Sequence, residues 1–307
     1  MGGVEAVASA PAKINLALRV GARRSDGFHP LNSLFHAVDR WERVSVRSGR
    51  GSRDELAVRG PGADMVPLDS SNLALRAAAW LRRAAGAGNP GAAAPVRLTI
   101  DKTIPVAGGL AGGSADAAAA LIALNRFWDL GLSRARLVEL AGELGSDVPF
   151  AVVGGCAIGT GRGESLAPVA HRGRFEWVLA TSPEGLSTPR VFGRFDELCL
   201  ARGPEPAPIP PGLLAGLAAG DPDLVGANLV NDLQAAALAL RPELEGVIEA
   251  AREAGACGAI VSGSGPTVAC LAATAEAADA LAADLRGRLA DLSPGAGLIR
   301  AAGPAAQ

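Results

Sequence analysis

The chain has 307 residues, long enough for two domains or for one large one with a substantial core. A formal charge of −2 gives no electrostatic reason to expect nucleic acid or an anionic membrane surface as partner, and no apolar run is of membrane-spanning type, although 49% of the residues are hydrophobic. The opening MGGVEAVASA carries an acid and no basic segment, unlike a secretory signal, so the expected location is cytoplasmic.

In chain order, the first readable element is a strand over Val7 to Val20. In KINLALRV apolar and other residues alternate, which places Lys13 and Asn15 on one face. A solvated edge strand or a site strand would both fit. The turn-rich RRSDGFHP follows, where Asp26-Gly27 suits a tight turn and Phe28 stands next to His29 in a loop. RVSVRS and ELAVR read as strands between Trp41 and Val58. Ser70 to Ala85 is an amphipathic helix with a capping serine or asparagine, and Val96 to Asp101 is another strand.

PVAGGLAGGSADAAAAL then opens a helix. Gly108, Gly109, Gly112 and Gly113 let the backbone bend and approach a ligand, and Ser114 stands where an N-cap would, so amide N–H groups would converge on one point. Such a point suits phosphate, but an ordinary turn would look similar; GxxxxGK[ST] is absent from the chain, and GGLAGG is not GxGxxG. A helix over Ser133 to Leu144, with Leu137 and Leu140 inward, ends at Gly145. SDVPF starts the next, with Asp147 at its head and Pro149 in its first turn. Asp147 fits a capping role or a catalytic one.

Beyond Cys156 come a glycine-rich reversal, a strand over Phe175 to Ser182, a helix or turn carrying Phe192, and a proline-rich connection. Ala/Leu-rich helices follow over Leu213 to Leu240 and Pro242 to Glu253. The strand–turn–strand GAIVSGSGPTVACLAA and a last helix over Ala275 to Leu289 complete an α+β half. Cys156, Cys199, Cys257 and Cys270 form no CxxC pair and no zinc pattern with His, so they should be reduced and mostly buried. Of the 29 basic residues only Lys13 and Lys102 are lysine, one in APAKINLAL and one in IDKTIP. A chain that otherwise uses arginine keeps lysine where a compact ammonium is needed.

APAKINLAL, PVAGGLAGGSADAAAAL and IVSGSGPTVACL together resemble, in order and spacing, the three motifs of the GHMP small-molecule kinases. DGFH after the first block and LGSDVPFA after the second are similar to the branch acting on a cytidyl diphospho-methylerythritol in the non-mevalonate isoprenoid pathway. The resemblance spans about residues 10 to 272 and is weakest over 200 to 225. It implies a two-domain α+β fold: a nucleotide-binding domain over 1–160, a substrate-side sandwich domain over 161–307, and the active site in the cleft between them.

It further implies ATP as donor with Mg²⁺, and transfer of the γ-phosphoryl group to the 2-hydroxyl of a small-molecule substrate. Lys13 and Asp147 would be catalytic. Asn72, Lys102 and the run Pro105, Val106, Ala107, Gly108, Gly109, Leu110, Ala111, Gly112, Gly113, Ser114 would hold the nucleotide, with Ser114 a possible metal ligand. Gly263, Ser264 and Gly265 would bring a second turn to the phosphates. Asn15 would touch substrate, His29 would hydrogen-bond the base, and Phe28 with Phe192 would sandwich it. Phe28 stands where members of the family often have tyrosine, and the chain has no tyrosine. No nucleic-acid or membrane partner is expected, and the chain should act as a monomer or weak homodimer. A GHMP kinase for mevalonate, homoserine or a sugar is the alternative, which the paired aromatic signals disfavour.

Overall fold

The computed structural model describes residues 5–86, 92, 94–106, 108–201, 203–293 and 295–306. Its spine is a long hairpin, β1 (Glu5–Val20) against β2 (Leu31–Ser48), antiparallel throughout, with Lys13 opposite Ala37 and Asn15 opposite Phe35. A register shift between Asn15 and Ala17 re-aims the strand beside the cavity described below. Around the hairpin, among the described residues, β3 (Glu55–Arg59), β4 (Val96–Asp101), β5 (Cys156–Gly161), β6 (Ser165–Pro168) and β8 (Val230–Asn231) complete the first sheet, in the order β3-β4-β2-β1-β8 with β5 on β2 and β6. The smaller sheet runs β11 (Gly297–Gly303), β7 (Phe175–Thr181), β10 (Val268–Ala272), β9 (Gly258–Val261).

Helix α1 (Leu73–Ala85) and helix α2 (Gly112–Phe127) pack together, and α2 lies on β1 and β2. Alanine is the best helix former and the smallest that keeps a Cβ, so Ala117, Ala118, Ala119, Ala120 and Ala123 can be fully buried between the sheet and the neighbouring helices while Leu121 and Leu124 fill the gaps. Helix α3 (Arg134–Gly142) buries Leu137 and Leu140, as its periodicity predicts, and leads to α4 (Val148–Val153). The smaller sheet is backed by α9 (Glu243–Glu253) and α10 (Ala275–Leu292); α5 (Thr188–Glu197) packs on α8 (Gln234–Leu240), and α6 (Pro211–Ala219) on α7 (Pro222–Ala227).

Several contacts tie the halves, among them the following. β8 runs parallel to β1, pairing Val230 with Ala17. Buried His36 accepts from Trp177 Nε1 on β7 at 3.3 Å and lies 3.1 Å from the Cys156 thiol; burial drives its pKa down to about 3, so the ring is a neutral relay between the sheets.

Three expectations need correction. β2 begins at Leu31, directly after the DGFH turn, because pairing with β1 extends the strand past its polar stretch. The Ala/Leu-rich segment from 213 to 240 is not continuous: Gly220 turns left-handed at φ 73°, Asp221 caps the next helix by accepting from Leu224 N, and β8 interrupts again. Of the cysteines only Cys156 and Cys270 are buried; Cys257 is half-buried and Cys199 exposed, all four being free thiols.

Candidate active site

The glycine loop enters α2 without a side-chain cap. Ala111, at φ 58° and ψ 34°, is the N-cap residue, and Ser114 sits inside the first turn, so the expected serine cap is not formed and its hydroxyl is left to face the cavity. Gly109, at φ 78°, approaches the Gly263–Gly265 turn so closely that a Cβ there would lie 2.5 Å from Ser262 O and 2.9 Å from Gly265 O. Thr267 N donates to Gly108 O and Ser262 Oγ to Gly109 O, so the two turns dock as one unit. Gly108, Gly109, Ala111, Gly112, Gly113 and Ser114 line a cavity of about 890 Å³. Leu110 instead points into the core, and Pro105 lines neither this cavity nor its neighbour. Ala107 lies outside the described residues.

Lys13 and Asp147 meet on the wall of that cavity. The Lys13 ammonium donates to Asn15 Oδ1 at 2.7 Å, and Asn15 Nδ2 donates to Ser33 Oγ, which in turn donates to Ala17 O. The amide of Asn15, which also lines the cavity, is thereby spent on aiming the lysine. Lys13 Nζ lies 3.5 Å from Asp147 Oδ2. Asp147 occupies the N-cap position of α4, yet its side chain caps nothing, so the carboxylate is free to face the ammonium. Gly263 closes the group: a Cβ there would stand 3.2 Å from Asn15 Oδ1 and 3.4 Å from Lys13 Nζ. Residues 13, 109, 147 and 263, distant in the chain, are thus brought to one place.

Lys102 has a different setting. Its ammonium is buried between Glu42 Oε1 at 2.8 Å and Asp116 Oδ2 at 2.9 Å. Glu42 also accepts from the backbone N–H of Thr103 and Ile104, which fixes the chain leading to the glycine loop. Burial raises the pKa of Asp116 to about 6, against the pull of Lys102. Lys102, Asp116, Asn72, Val106 and Leu73 line a smaller pocket of about 170 Å³ next to Gly113. Asn72 caps α1 by accepting from Ala74 N and donates to Pro67 O.

Phe28 also lines the large cavity and is half exposed, with the Arg162 guanidinium 5.4 Å over its ring. His29 is buried, its ring stacked on Phe192 at 5.0 Å and 28°, with Phe195 edge-on at 5.8 Å. Each of Phe28 and Phe192 therefore already has one face occupied.

Residues 72–155 match the family described as GHMP kinases N terminal domain, and 213–291 match GHMP kinases C terminal. The chain is 53% identical over 282 residues to the 4-diphosphocytidyl-2-C-methyl-D-erythritol kinase of Thermobifida fusca, covering 90% of each chain. It is 51% identical to that of Mycolicibacterium smegmatis, over 87% of this chain and 82% of that one. A crystal structure of 4-(cytidine 5'-diphospho)-2C-methyl-D-erythritol kinase superposes with a TM-score of 0.73 at 32% identity, covering 97% of this chain and 99% of that one. The chain belongs to the 4-diphosphocytidyl-2-C-methyl-D-erythritol kinase family of GHMP kinases. A homoserine kinase from Cytophaga hutchinsonii, with a TM-score of 0.76 at 18% identity, shares the fold.

In this member of the GHMP kinases, several residues that shape the site escape a sequence reading. Glu42 lies mid-strand with nothing local to mark it. Asp116 does carry a signal, a lone acid in an alanine helix, since a buried carboxylate there must find a cation. Asp196 follows Phe192 by four residues on α5 and so shares its face. Arg162 sits in the turn after β5 and is placed over Phe28 only by the fold.

Proposed function

We propose that the protein transfers the γ-phosphoryl group of ATP to the 2-hydroxyl of 4-diphosphocytidyl-2-C-methyl-D-erythritol. One observation carries the reading: a single cavity is lined both by the Lys13–Asp147 pair with the docked glycine turns and by the Phe28, His29 and Phe192 cluster. The amide-rich turns and the N-terminus of α2 suit the phosphates, and the smaller pocket by Asn72 and Lys102 suits the adenine. An aromatic face and a histidine suit a flat base, which mevalonate and homoserine do not have.

Phosphoryl transfer asks the protein mainly for positioning and charge stabilisation. Asp147 Oδ2 accepts the proton of the substrate hydroxyl as the new O–P bond forms and the β–γ bridge bond breaks, the electron pair leaving with ADP. Lys13, held by Asn15, places its ammonium against the charge on the transferred group and on the reacting oxygen. Asp147 can take this part because its carboxylate is a third exposed and not engaged as a cap. Among the described residues no three or more His, Cys, Asp or Glu gather as a metal cage. That suits Mg²⁺, which keeps several waters and binds through phosphates and one or two side chains; Ser114 would hold it and the ion would neutralise phosphate charge.

The protein acts within the non-mevalonate isoprenoid route on this reading, as a cytoplasmic monomer or weak homodimer; no helix among the described residues is long and apolar enough to cross a membrane. A steady-state assay with ATP and 4-diphosphocytidyl-2-C-methyl-D-erythritol, with mevalonate and homoserine as controls, should show turnover of the cytidyl compound alone. Turnover of either control at a comparable kcat/KM would sink the reading.

A further inference from the structure

We infer that the Asp196 carboxylate selects the base, receiving the exocyclic amine of a cytosine and turning away a uracil in the same place. The inference rests on the cytidyl substrate proposed above and assigns the discrimination to one side chain. Asp196 lines the large cavity on the same face of α5 as Phe192 and is about a third exposed. Its Oδ1 lies 3.5 Å from His29 Nε2, and among the described residues no donor makes a hydrogen bond to its carboxylate. Arg194 on the helix pairs with Glu197, and the cavity-lining Arg162 and Arg23 engage Glu164 and Gly27 O.

The other ring nitrogen of His29 decides what this pair can bind. Nδ1 stands 2.9 Å from Gly21 O, and a carbonyl oxygen can only accept, so the hydrogen must be on Nδ1. In the neutral ring Nε2 then presents a lone pair, side by side with the carboxylate oxygen. Phe192 beneath the ring and Phe195 at its edge keep His29 from turning. Two acceptors side by side on one cavity wall offer a ligand's donor a place between them. The N4 amine of cytosine is such a donor, and a carboxylate accepting from it is a known mode of reading that base. Uracil carries an oxygen at that position and would bring a third acceptor to the pair. A contact of this kind discriminates by about 1–3 kcal/mol, roughly 5- to 150-fold.

Binding of CDP and of UDP, titrated calorimetrically with a non-hydrolysable ATP analogue present, tests this without requiring turnover. Wild type should bind CDP about 10- to 100-fold tighter than UDP. Asp196→Ala should lose affinity for CDP and shrink that ratio to within about threefold, and Asp196→Asn, whose amide can turn its nitrogen to the uracil oxygen, should shrink it by gaining affinity for UDP. The ratio is taken within one preparation, so any unfolded fraction cancels. A carboxylate that merely holds the His29 ring would weaken both nucleotides alike; an unchanged ratio in Asp196→Ala, or no preference in wild type, overturns the inference. Selective CDP binding without kinase turnover would count against the proposed reaction and not against this assignment.

Discussion

The two lysines of the molecule sit about as deep as each other and do different work. Lys102 is sealed: its side chain is 2% exposed, Glu42 and Asp116 are 0% and 5%, and both contacts are under 3 Å. Lys13 is 8% exposed, but its carboxylate partner is 33% exposed and stands off at 3.5 Å, with the cavity beside it. A charge that already has close partners on every side spends itself on structure, whereas one with an incomplete shell has capacity left for a ligand. Glycine backbone lies close to both ammonium groups: a Cβ on Gly112 would stand 3.3 Å from Lys102 Nζ, and one on Gly263 would stand 3.4 Å from Lys13 Nζ. In the sealed centre this favours a compact ammonium over a planar guanidinium.

Removing the open carboxylate should therefore cost chemistry, and removing the sealed ammonium should cost stability. Asp147→Asn is expected to lower kcat by about 10²- to 10⁴-fold while ATP affinity and the urea midpoint stay near wild type. Lys102→Met leaves two buried carboxylates without their cation and should destabilise by about 3–5 kcal/mol in urea unfolding. An Asp147→Asn protein that unfolds as easily as Lys102→Met while keeping its kcat would erase the contrast between the two centres.

How far this contrast can be read from the chain depends on distance along it. The convergence of APAKINLAL, the glycine loop, LGSDVPFA and the second glycine turn was legible as motifs, and the structure brings them together. Local chemistry was legible too: Pro149 and Asp147 do head a short helix, and Asn72 does cap α1. Partners that meet only through strand register were not. Glu42 reaches Lys102 because β2 pairs with β4, with Arg43 opposite Asp101, a placement no local pattern encodes. Local rules also misled at Ser114, where α2 starts three residues earlier than a serine cap requires because Ala111 takes the left-handed conformation next to Gly112. That early start is what leaves the hydroxyl on the cavity wall.

The aromatic lining of the cavity should behave like the open centre, losing function without losing fold. Phe28 is half exposed and touches Arg162 rather than the core, so Phe28→Ala should leave thermal stability unchanged. Stacking on one aromatic ring contributes about 1–3 kcal/mol per base, so KM for the cytidyl substrate should rise roughly 5- to 150-fold with KM for ATP unmoved. Equal increases for both substrates would place Phe28 outside the base site.

The smallest effect sharpens the description of the sealed centre, where two carboxylates face one ammonium. Burial raises the pKa of Asp116 from the reference 3.8 to about 6, so between these values the folded protein holds a proton that the unfolded chain has released. The associated stability is fully present below the lower value and is lost as pH rises through about 6. From pH 5 to pH 7 that loss is about 1 kcal/mol, at 1.36 kcal/mol per pKa unit. Asp116→Asn removes the titrating group while keeping the size of the side chain and leaves Lys102 paired with Glu42 alone. Urea unfolding at the two pH values should show wild type losing about 1 kcal/mol more than the variant on going to pH 7. A difference of the opposite sign would mean that Lys102 holds Asp116 more strongly than burial opposes its charge.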